Sequence, residues 1–531
     1  MLNHLRPKFT RKILLRILLL IIIGSFLFLV GNQNYSLFDN SETNYSAVAR
    51  EIVNTGDWLT MHYNGQNWYI HPPLYFWMTS TLCKLFGWTE FNLRFWEGLF
   101  GVLGLIMTYL LARQFFANRI AFSSALILGT SFYYYIISRL AIFDTFLNFF
   151  ILTTLYLFFK AYYNPTLKGR YFFFMAISTT LAVLTKGPVG LVHPFMVIIP
   201  FLIWKKDLKF LFDKKIWLNF LFFIALISPW YVIELTSHGW DFFNIALKDY
   251  TWYRFFGAVE NQAGPWYYYF PVLLLFFPWI FFLPNALLLL SKKQTTDNKQ
   301  RDFVQFSIFF LVITFIFFTL AGTKLPNYIF SVFPFLSILI SASLYRIKNK
   351  IPLQLSSFVL LLFSLVLLWF SVFGKLPKIY AADQSWLIKT VILNFAIIFV
   401  LVKLLQNKKP ATAIYSYTLC TILFVFYLTH FFLPAIEKYK DTKIFADVIN
   451  KTEKKSYTII NFEGYSPALM YYLNHKVEHI QKIEELKQTV ATEPGIIYIV
   501  LPLNDLNRIK QISEKTLVIK SGYQFSLIKI N

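Results

Sequence analysis

Two carboxylates, Asp39 and Glu42, stand three residues apart in FDNSETNYSAVAREI (Phe38–Ile52), a polar stretch just after the first long apolar run of the chain. A positioned carboxylate can take the proton of an attacking hydroxyl, or orient an acceptor that is already anionic. Further chemistry-bearing residues recur in other short segments between apolar runs. Asp57 and His71 lie nearby, Arg139 and Asp144 in RLAIFD, Lys186 in TKGP, Asp249 and Arg254 in DYTWYRF, and Lys324 and Tyr328 in GTKLPNY. Lysine and arginine neutralise charge that grows on a leaving phosphate. Each group also has a structural reading. Glu42 at the start of a helix favours the N-terminal dipole, and Arg139 with Asp144 can form a local ion pair or an N-cap. Lys186 and Lys324 can snorkel to an interface, Asp57 and Asp249 read as solvated loop acids, and His71 before Pro72 and Pro73 fits a polar turn.

The elements that must hold these residues are membrane helices. Of 531 residues 57% are hydrophobic and 15% charged, and apolar runs recur along most of the chain, each of about twenty residues, the length that crosses a bilayer as a helix. The sequence therefore predicts a polytopic α-helical membrane protein. Its spans fall near 13–31, 95–113, 119–137, 145–163, 171–185, 189–204, 216–233, 266–290, 303–320, 328–345, 352–373, 386–405 and 412–433, roughly thirteen in all. The net charge of +23 is spread between the apolar runs and builds no basic domain, which argues against nucleic acid as a partner. Cys83 and Cys420 form no CxxC pattern, so neither a disulfide framework nor a thiolate metal site is implied.

Charge sets the orientation. MLNHLRPKFTRK precedes the first span and is basic enough to stay cytoplasmic. That span is long and no small-residue cleavage site follows, so it reads as an uncleaved anchor. Alternate loops then fall inside, namely ARQFFANR, NPTLKGR, KKDLKFLFDKK, SKKQTTDNKQR, YRIKNK and KLLQNKK, and each carries excess Lys or Arg. Outside lie Asn32–Arg94, Ser138–Asp144, Thr185–Pro188, Glu234–Pro265, Gly322–Asn327 and the chain after about 434. The acids and cations named above collect on this extracytoplasmic face. In the first outer loop, SETNYSAVAREIVNTG and PPLYFWMTSTLCKLFG read as amphipathic helices suited to the bilayer surface.

A reaction on the outer face of the membrane has no access to cytoplasmic nucleotide sugars or ATP. A glycosyltransferase there needs a polyprenyl-phosphate sugar as donor, with its tail between apolar helices, and passes the sugar to a lipid, glycan or protein acceptor. A transporter or flippase of lipid-linked or small polar substrates instead predicts ionisable groups near mid-span and broken helices, whereas the candidate charges here lie at span ends. A polysaccharide ligase or polymerase predicts a large outer loop carrying Arg and His. The largest outer loop between spans here carries paired acids.

The run SETNYSAVAREIVNTGDWLTMHYNGQNWYIHPPLYFWM resembles the first-loop signature of bacterial glycosyltransferases related to protein O-mannosyltransferases, notably the branch that transfers 4-amino-4-deoxy-L-arabinose to lipid A. RLAIFDTFLNFF, LTKGPVGLVHP and FFTLAGTKLPNYIFSVFP are similar to later motifs of that family, in the same order, so the likeness covers about residues 10–345. It implies the multi-spanning C-type (GT-C) glycosyltransferase fold. The family's acidic pair falls on Ser41 and Glu42, which leaves Glu42 or Asp39 as the base; a D-x-x-E form keeps both acids and slightly favours Asp39. Asp144 matches a second acidic position. Arg254 and Tyr328 resemble groups that contact the lipid phosphate, and His71, Arg139, Lys186 and Lys324 complete the expected donor-binding set. His71 replaces a Lys before Pro-Pro, Ile70 replaces an acidic residue, and Tyr250-Thr251 stand where the family has Glu-His. The acid and His positions bind zinc in the aminoarabinose branch, so the departures argue against zinc. No cofactor is certain, and magnesium or manganese at Asp39, Glu42 and Asp144 stays open.

Beyond residue 434 the pattern changes. Polar helical segments at 441–450, 466–474, 481–490 and 503–513 alternate with strand-like YTIIN, IIYIVL, TLVIK and QFSLIKI. The expected organisation is a transmembrane transferase domain over 1–434, with its first extracytoplasmic loop at 32–94, and a small extracytoplasmic α/β domain over 435–531.

Overall fold

A computed structural model of the chain describes residues 11–38, 41–258, 262–291, 297–346, 354, 358–362, 365–366, 384–406, 409–452, 457–464, 466–493, 495–506 and 516–530. In hydrocarbon, backbone N–H and C=O groups have only each other, so the apolar runs fold as helices. Among the described residues, seven helices are long and apolar enough to cross a membrane. The number is eight if Tyr269–Phe276 and Trp279–Leu287, bent by 101°, count as one span. The expected span at 352–373 lies largely outside the described residues.

Helix α1 (Arg11–Phe28) leads into the first long loop, which holds α2 (Ser41–Thr55), the hairpin β1 (His62–Tyr63) and β2 (Gln66–Asn67), and α3 (Leu74–Phe86). Gly56 stops α2 with its N–H on Ile52 O at 3.0 Å and a φ of +76°, a conformation a Cβ would strain. Neither loop helix lies free on a surface. Val48, Ala49 and Ile52 of α2 and Tyr75 and Phe76 of α3 are fully buried, and Ser80 Oγ donates to Ala49 O at 2.7 Å.

Helices α4 (Glu90–Ala112), α5 (Asn118–Gly129), α6 (Phe132–Ile137), α7 (Asp144–Tyr163), α8 (Lys168–Lys186), α9 (Val189–Trp204) and α10 (Lys214–Phe242) follow. Three expected spans are not single α-helices. The run 119–137 breaks between α5 and α6, where the Thr130 and Ser131 hydroxyls donate back to Leu126 O and Leu128 O, each at 2.7 Å. Such back-bonding competes with the helix ladder. The run 266–290 breaks at Pro278, which has no N–H to give, and 328–345 opens as a 3-10 helix over Pro326–Val332 before Phe333–Leu344. Conversely, α10 does not end near 233. It kinks at Gly239 (φ +53°) and continues as a π-helix over Phe243–Tyr253 and a short turn at Arg254–Phe256, so the expected outer loop 234–265 starts as helix.

The C-terminal segment forms a five-stranded sheet of β3 (Tyr457–Phe462), β4 (Glu478–Ile480), β5 (Ile496–Pro502), β6 (Thr516–Ser521) and β7 (Phe525–Ile530) in the order β4-β3-β5-β7-β6. Strand β3 runs parallel to β4 and β5, and parallel neighbours need crossovers; the helices Pro467–Leu473 and Ile483–Thr492 supply them. This sheet unit docks on the first loop. Arg50 Nη1 donates to Tyr471 O at 2.9 Å, Asn64 exchanges two hydrogen bonds with the Val477 backbone at 3.1 and 3.2 Å, and Lys443 pairs with Glu90 at 2.7 Å. The first loop is thus an inner layer between the helical bundle and the sheet.

Candidate active site

Helices α7 and α8 form an antiparallel hairpin, which puts the first residue of α7, Asp144, beside the last of α8, Lys186. Lys186 Nζ meets Asp144 Oδ1 at 2.5 Å, with both side chains mostly buried. A carboxylate at a helix N-terminus and an ammonium at a C-terminus each complement the local dipole, so the pair sits where both charges are favoured. Asn327 Nδ2 donates to the other Asp144 oxygen at 2.9 Å. The Lys186 ammonium also faces the rings of Phe143 at 5.1 Å and Tyr328 at 5.9 Å.

A second cation comes from the far end of the α10 extension. Arg254 Nε donates to Tyr328 OH at 2.9 Å and Nη2 to Gln262 Oε1 at 3.1 Å, while the guanidinium lies 5.6 Å from the Tyr250 ring. Two backbone segments are clamped together to make this contact. Gly322 N donates to Phe255 O at 2.7 Å, Thr323 N to Arg254 O at 3.2 Å and Lys324 N to Gln262 O at 2.9 Å. Gly322 crosses Gly257 so closely that a Cβ on Gly322 would overlap the Gly257 backbone.

Both cations line one cavity of about 430 Å³, together with His71, Tyr45, Asn148, His193, Trp230, Tyr250, Phe318 and Tyr328. Trp252 and Phe256 also line it, and they are 62% and 64% exposed, so the cavity reaches an apolar outer surface of the helices. His71 packs on Phe143 at 4.6 Å and on Trp68 at 5.7 Å. Burial, reinforced by Lys186 and Arg254, holds its imidazole well below the usual histidine range, so it is neutral at pH 7. Two fixed cations, a phenol and an imidazole around apolar walls make a seat for an anionic head group carrying an apolar tail.

His71, Asp144, Lys186, Arg254 and Tyr328 therefore meet at one cavity. Three other expected site residues do not line it. The Glu42 carboxylate is buried at the N-terminus of α2, where Oε1 accepts from Arg94 Nε at 2.8 Å and Ala141 N at 2.7 Å. Its Oε2 accepts from Arg94 Nη2 at 2.9 Å and Phe38 N at 2.7 Å. The same Arg94 donates to the carbonyls of Asn32, Tyr35 and Ser36. Glu42 thus ties the start of the first loop to α4 and to Ala141, three residues before Asp144. Arg139 spends its guanidinium on Leu27 O at 2.7 Å and Val30 O at 2.8 Å, at the C-terminal end of α1; Asp144 pairs with Lys186 instead. Lys324 Nζ turns back to Ala321 O at 2.6 Å. Asp39 lies outside the described residues.

Among the described residues no group of three or more His, Cys, Asp or Glu side chains converges in a geometry that could hold a metal ion. Two of the three expected magnesium or manganese ligands, Glu42 and Asp144, are also engaged. All four hydrogen bonds to Glu42 come from N–H donors, and Asp144 is shared between Lys186 and Asn327. Among the described residues, neither Glu42 nor Asp144 offers an unengaged carboxylate oxygen to a divalent ion. Sequence reasoning passed over Asn327, although it stands in the quoted KLPNY motif, and Asn148, although it follows Asp144 by one helical turn.

The family model for dolichyl-phosphate-mannose-protein mannosyltransferase matches residues 70–233. An uncharacterised protein of Aquifex aeolicus is 30% identical over 346 residues, which is 65% of this chain and 77% of that protein. The undecaprenyl phosphate-alpha-4-amino-4-deoxy-L-arabinose arabinosyl transferase 2 of Proteus mirabilis is 29% identical over 299 residues, 55% of this chain and 52% of that protein. The crystal structure of ArnT from Cupriavidus metallidurans bound to undecaprenyl phosphate superposes with a TM-score of 0.80 over 97% of both chains at 20% identity, a likeness of fold. Fold and relatives together define an integral membrane glycosyltransferase of the GT-C type. The chain belongs to the family of the protein mannosyltransferases and the aminoarabinose transferases.

Proposed function

We propose that this enzyme moves a glycosyl group from a polyprenyl-phosphate donor to a lipid, glycan or protein acceptor on the extracytoplasmic face of the membrane. The observation that carries the reading is the convergence of Lys186, Arg254, Tyr328 and His71 on one apolar-walled cavity. The acceptor oxygen attacks the anomeric carbon and the bond from that carbon to the phosphate oxygen breaks. The phosphate keeps the electron pair, met by the two cations and the phenol, and the acceptor proton passes to a carboxylate. We assign that carboxylate to Asp39, which follows Phe38, itself bonded to Glu42. Asp144 orients Lys186, and Glu42 is a positioning residue. Arg139 and Lys324 hold the backbone around the site.

The proposed topology has a cytoplasmic N-terminus and thirteen crossings over 1–434, with the first loop 32–94 and the α/β domain 435–531 outside. The alternation of basic inner loops supports it, as does the docking of the sheet unit on the first loop. A purified sample given a polyprenyl-phosphate sugar labelled in the sugar should pass label to acceptor without an ion gradient. Arg254→Ala should raise the donor KM or lower kcat. Movement of the intact donor across the bilayer with no glycosidic exchange would favour a transporter and refute the reading.

A further inference from the structure

Part of the wall of the same cavity is polar but uncharged. Asn148 stands one helical turn into α7 from Asp144, so the two side chains share a face. It is 2% exposed, and neither its amide nitrogen nor its amide oxygen has a hydrogen-bond partner, although it lines the cavity. A buried amide left wholly unpaired is costly, and one in a cavity wall is completed by a ligand or by water. Asn327 adds a second vacancy, since its Oδ1 is unpartnered while Nδ2 holds Asp144. In the same wall the His193 ring is bracketed by two hydroxyls, with Nε2 at 3.0 Å from Thr314 Oγ1 and 3.3 Å from Ser331 Oγ.

We infer that Asn148, with the free Asn327 carbonyl oxygen beside the phosphate seat, forms a subsite that hydrogen-bonds the hydroxyls of the donor sugar, and that this sugar is neutral rather than an amino sugar. The inference rests on the proposed donor reading of the same cavity and adds to it the chemical class of the sugar. An amide offers two donors and two acceptors, the complement of a vicinal hydroxyl pair. A protonated amino sugar is best held by a carboxylate other than the one that takes the acceptor proton. Among the described residues Asp144 is the one carboxylate lining the cavity, and both of its oxygens are engaged by Lys186 and Asn327. An added ammonium would stand near Lys186 and Arg254 with its charge uncompensated once the phosphate has drawn those cations to itself.

The test measures binding of three lipids to the purified full chain: undecaprenyl phosphate, undecaprenyl-phosphate hexose and undecaprenyl-phosphate 4-amino-4-deoxyarabinose. The wild type should bind the hexose lipid about tenfold or more tightly than the amino-sugar lipid. Asn148→Ala should weaken the hexose lipid about tenfold and leave undecaprenyl phosphate unchanged. Asn148→Asp, of nearly the same shape, should reverse the preference towards the amino sugar. An equal or stronger grip of the wild type on the amino-sugar lipid, or hexose binding indifferent to both substitutions, overturns the subsite while the donor reading stands if Arg254→Ala still weakens all three lipids. Failure of all three lipids to bind the wild type overturns both.

Discussion

Replacing Glu42 by glutamine separates a structural carboxylate from a catalytic one. The side chain keeps its shape, but the ring of donors around it does not change. Arg94 donates twice, and the Ala141 and Phe38 amides once each, at distances between 2.7 and 2.9 Å. The amide must turn its NH2 towards one of these donors, and Arg94, with no exposed side-chain surface, keeps its charge without a counter-ion. Breaking a buried ion pair from one side costs about 3–5 kcal/mol, a large part of the roughly 5–15 kcal/mol that holds a typical folded domain. Glu42→Gln should therefore lower the unfolding temperature in detergent markedly and reduce the yield of monodisperse protein. Thermal unfolding followed by tryptophan fluorescence, run beside a label-transfer assay, reads both quantities. A Glu42→Gln protein with wild-type thermal stability and no turnover would falsify the structural assignment and return this carboxylate to the chemistry.

Lys186→Met should cut turnover by about 10²-fold or more, since it removes a cation that meets the departing phosphate, and should also lower thermal stability because Asp144 loses its buried partner; single-turnover kinetics on the folded fraction check it, and an unchanged rate contradicts the assignment. Gly322→Ala should force the 322 and 257 backbones apart and weaken donor binding through the lost contact between Arg254 and Tyr328, to be read as a raised donor KM with little change in acceptor KM. His71 supplies a pH signature. Its folded value lies below the ordinary 6.5, so the unfolded chain takes up a proton that the folded one refuses, and stability falls as pH drops through and below about 6.5. A bound phosphate opposes the shift, so donor binding should take up protons and tighten on acidification. His71→Lys should abolish that proton uptake in calorimetry run in two buffers of different ionisation enthalpy.

The membrane class was legible because apolar runs of bilayer length have few other fates, and Asp144, Lys186, Arg254 and Tyr328 were legible because each stands in a short motif at a span end. Partnerships were not. Arg94 lies 52 residues after Glu42, and nothing in the spacing tells which of many cations will close on a given acid. The pairing of Arg139 with Asp144 looked local, yet five residues of turn aimed Arg139 at the carbonyls of α1 and left Asp144 for Lys186. Span breaks were hidden for a different reason. Thr130 and Ser131 sit in a stretch apolar enough to cross a membrane, and hydropathy does not register hydroxyls that bond their own helix. The continuation of α10 past 233 was missed because polar residues such as Glu234 and His238 read as loop, whereas Thr60 of the first loop bonds both, at 3.0 and 2.9 Å.

The apolar mouth of the cavity has a kinetic consequence. Trp252 and Phe256 are at once cavity lining and outer surface, aromatic side chains of the kind that settle at a lipid–water boundary. A donor entering there diffuses in two dimensions and never leaves the bilayer. The quantity that sets occupancy is then its mole fraction among lipids, so diluting a fixed amount of enzyme and donor with more phospholipid should slow the reaction, whereas diluting the same vesicles with buffer should not.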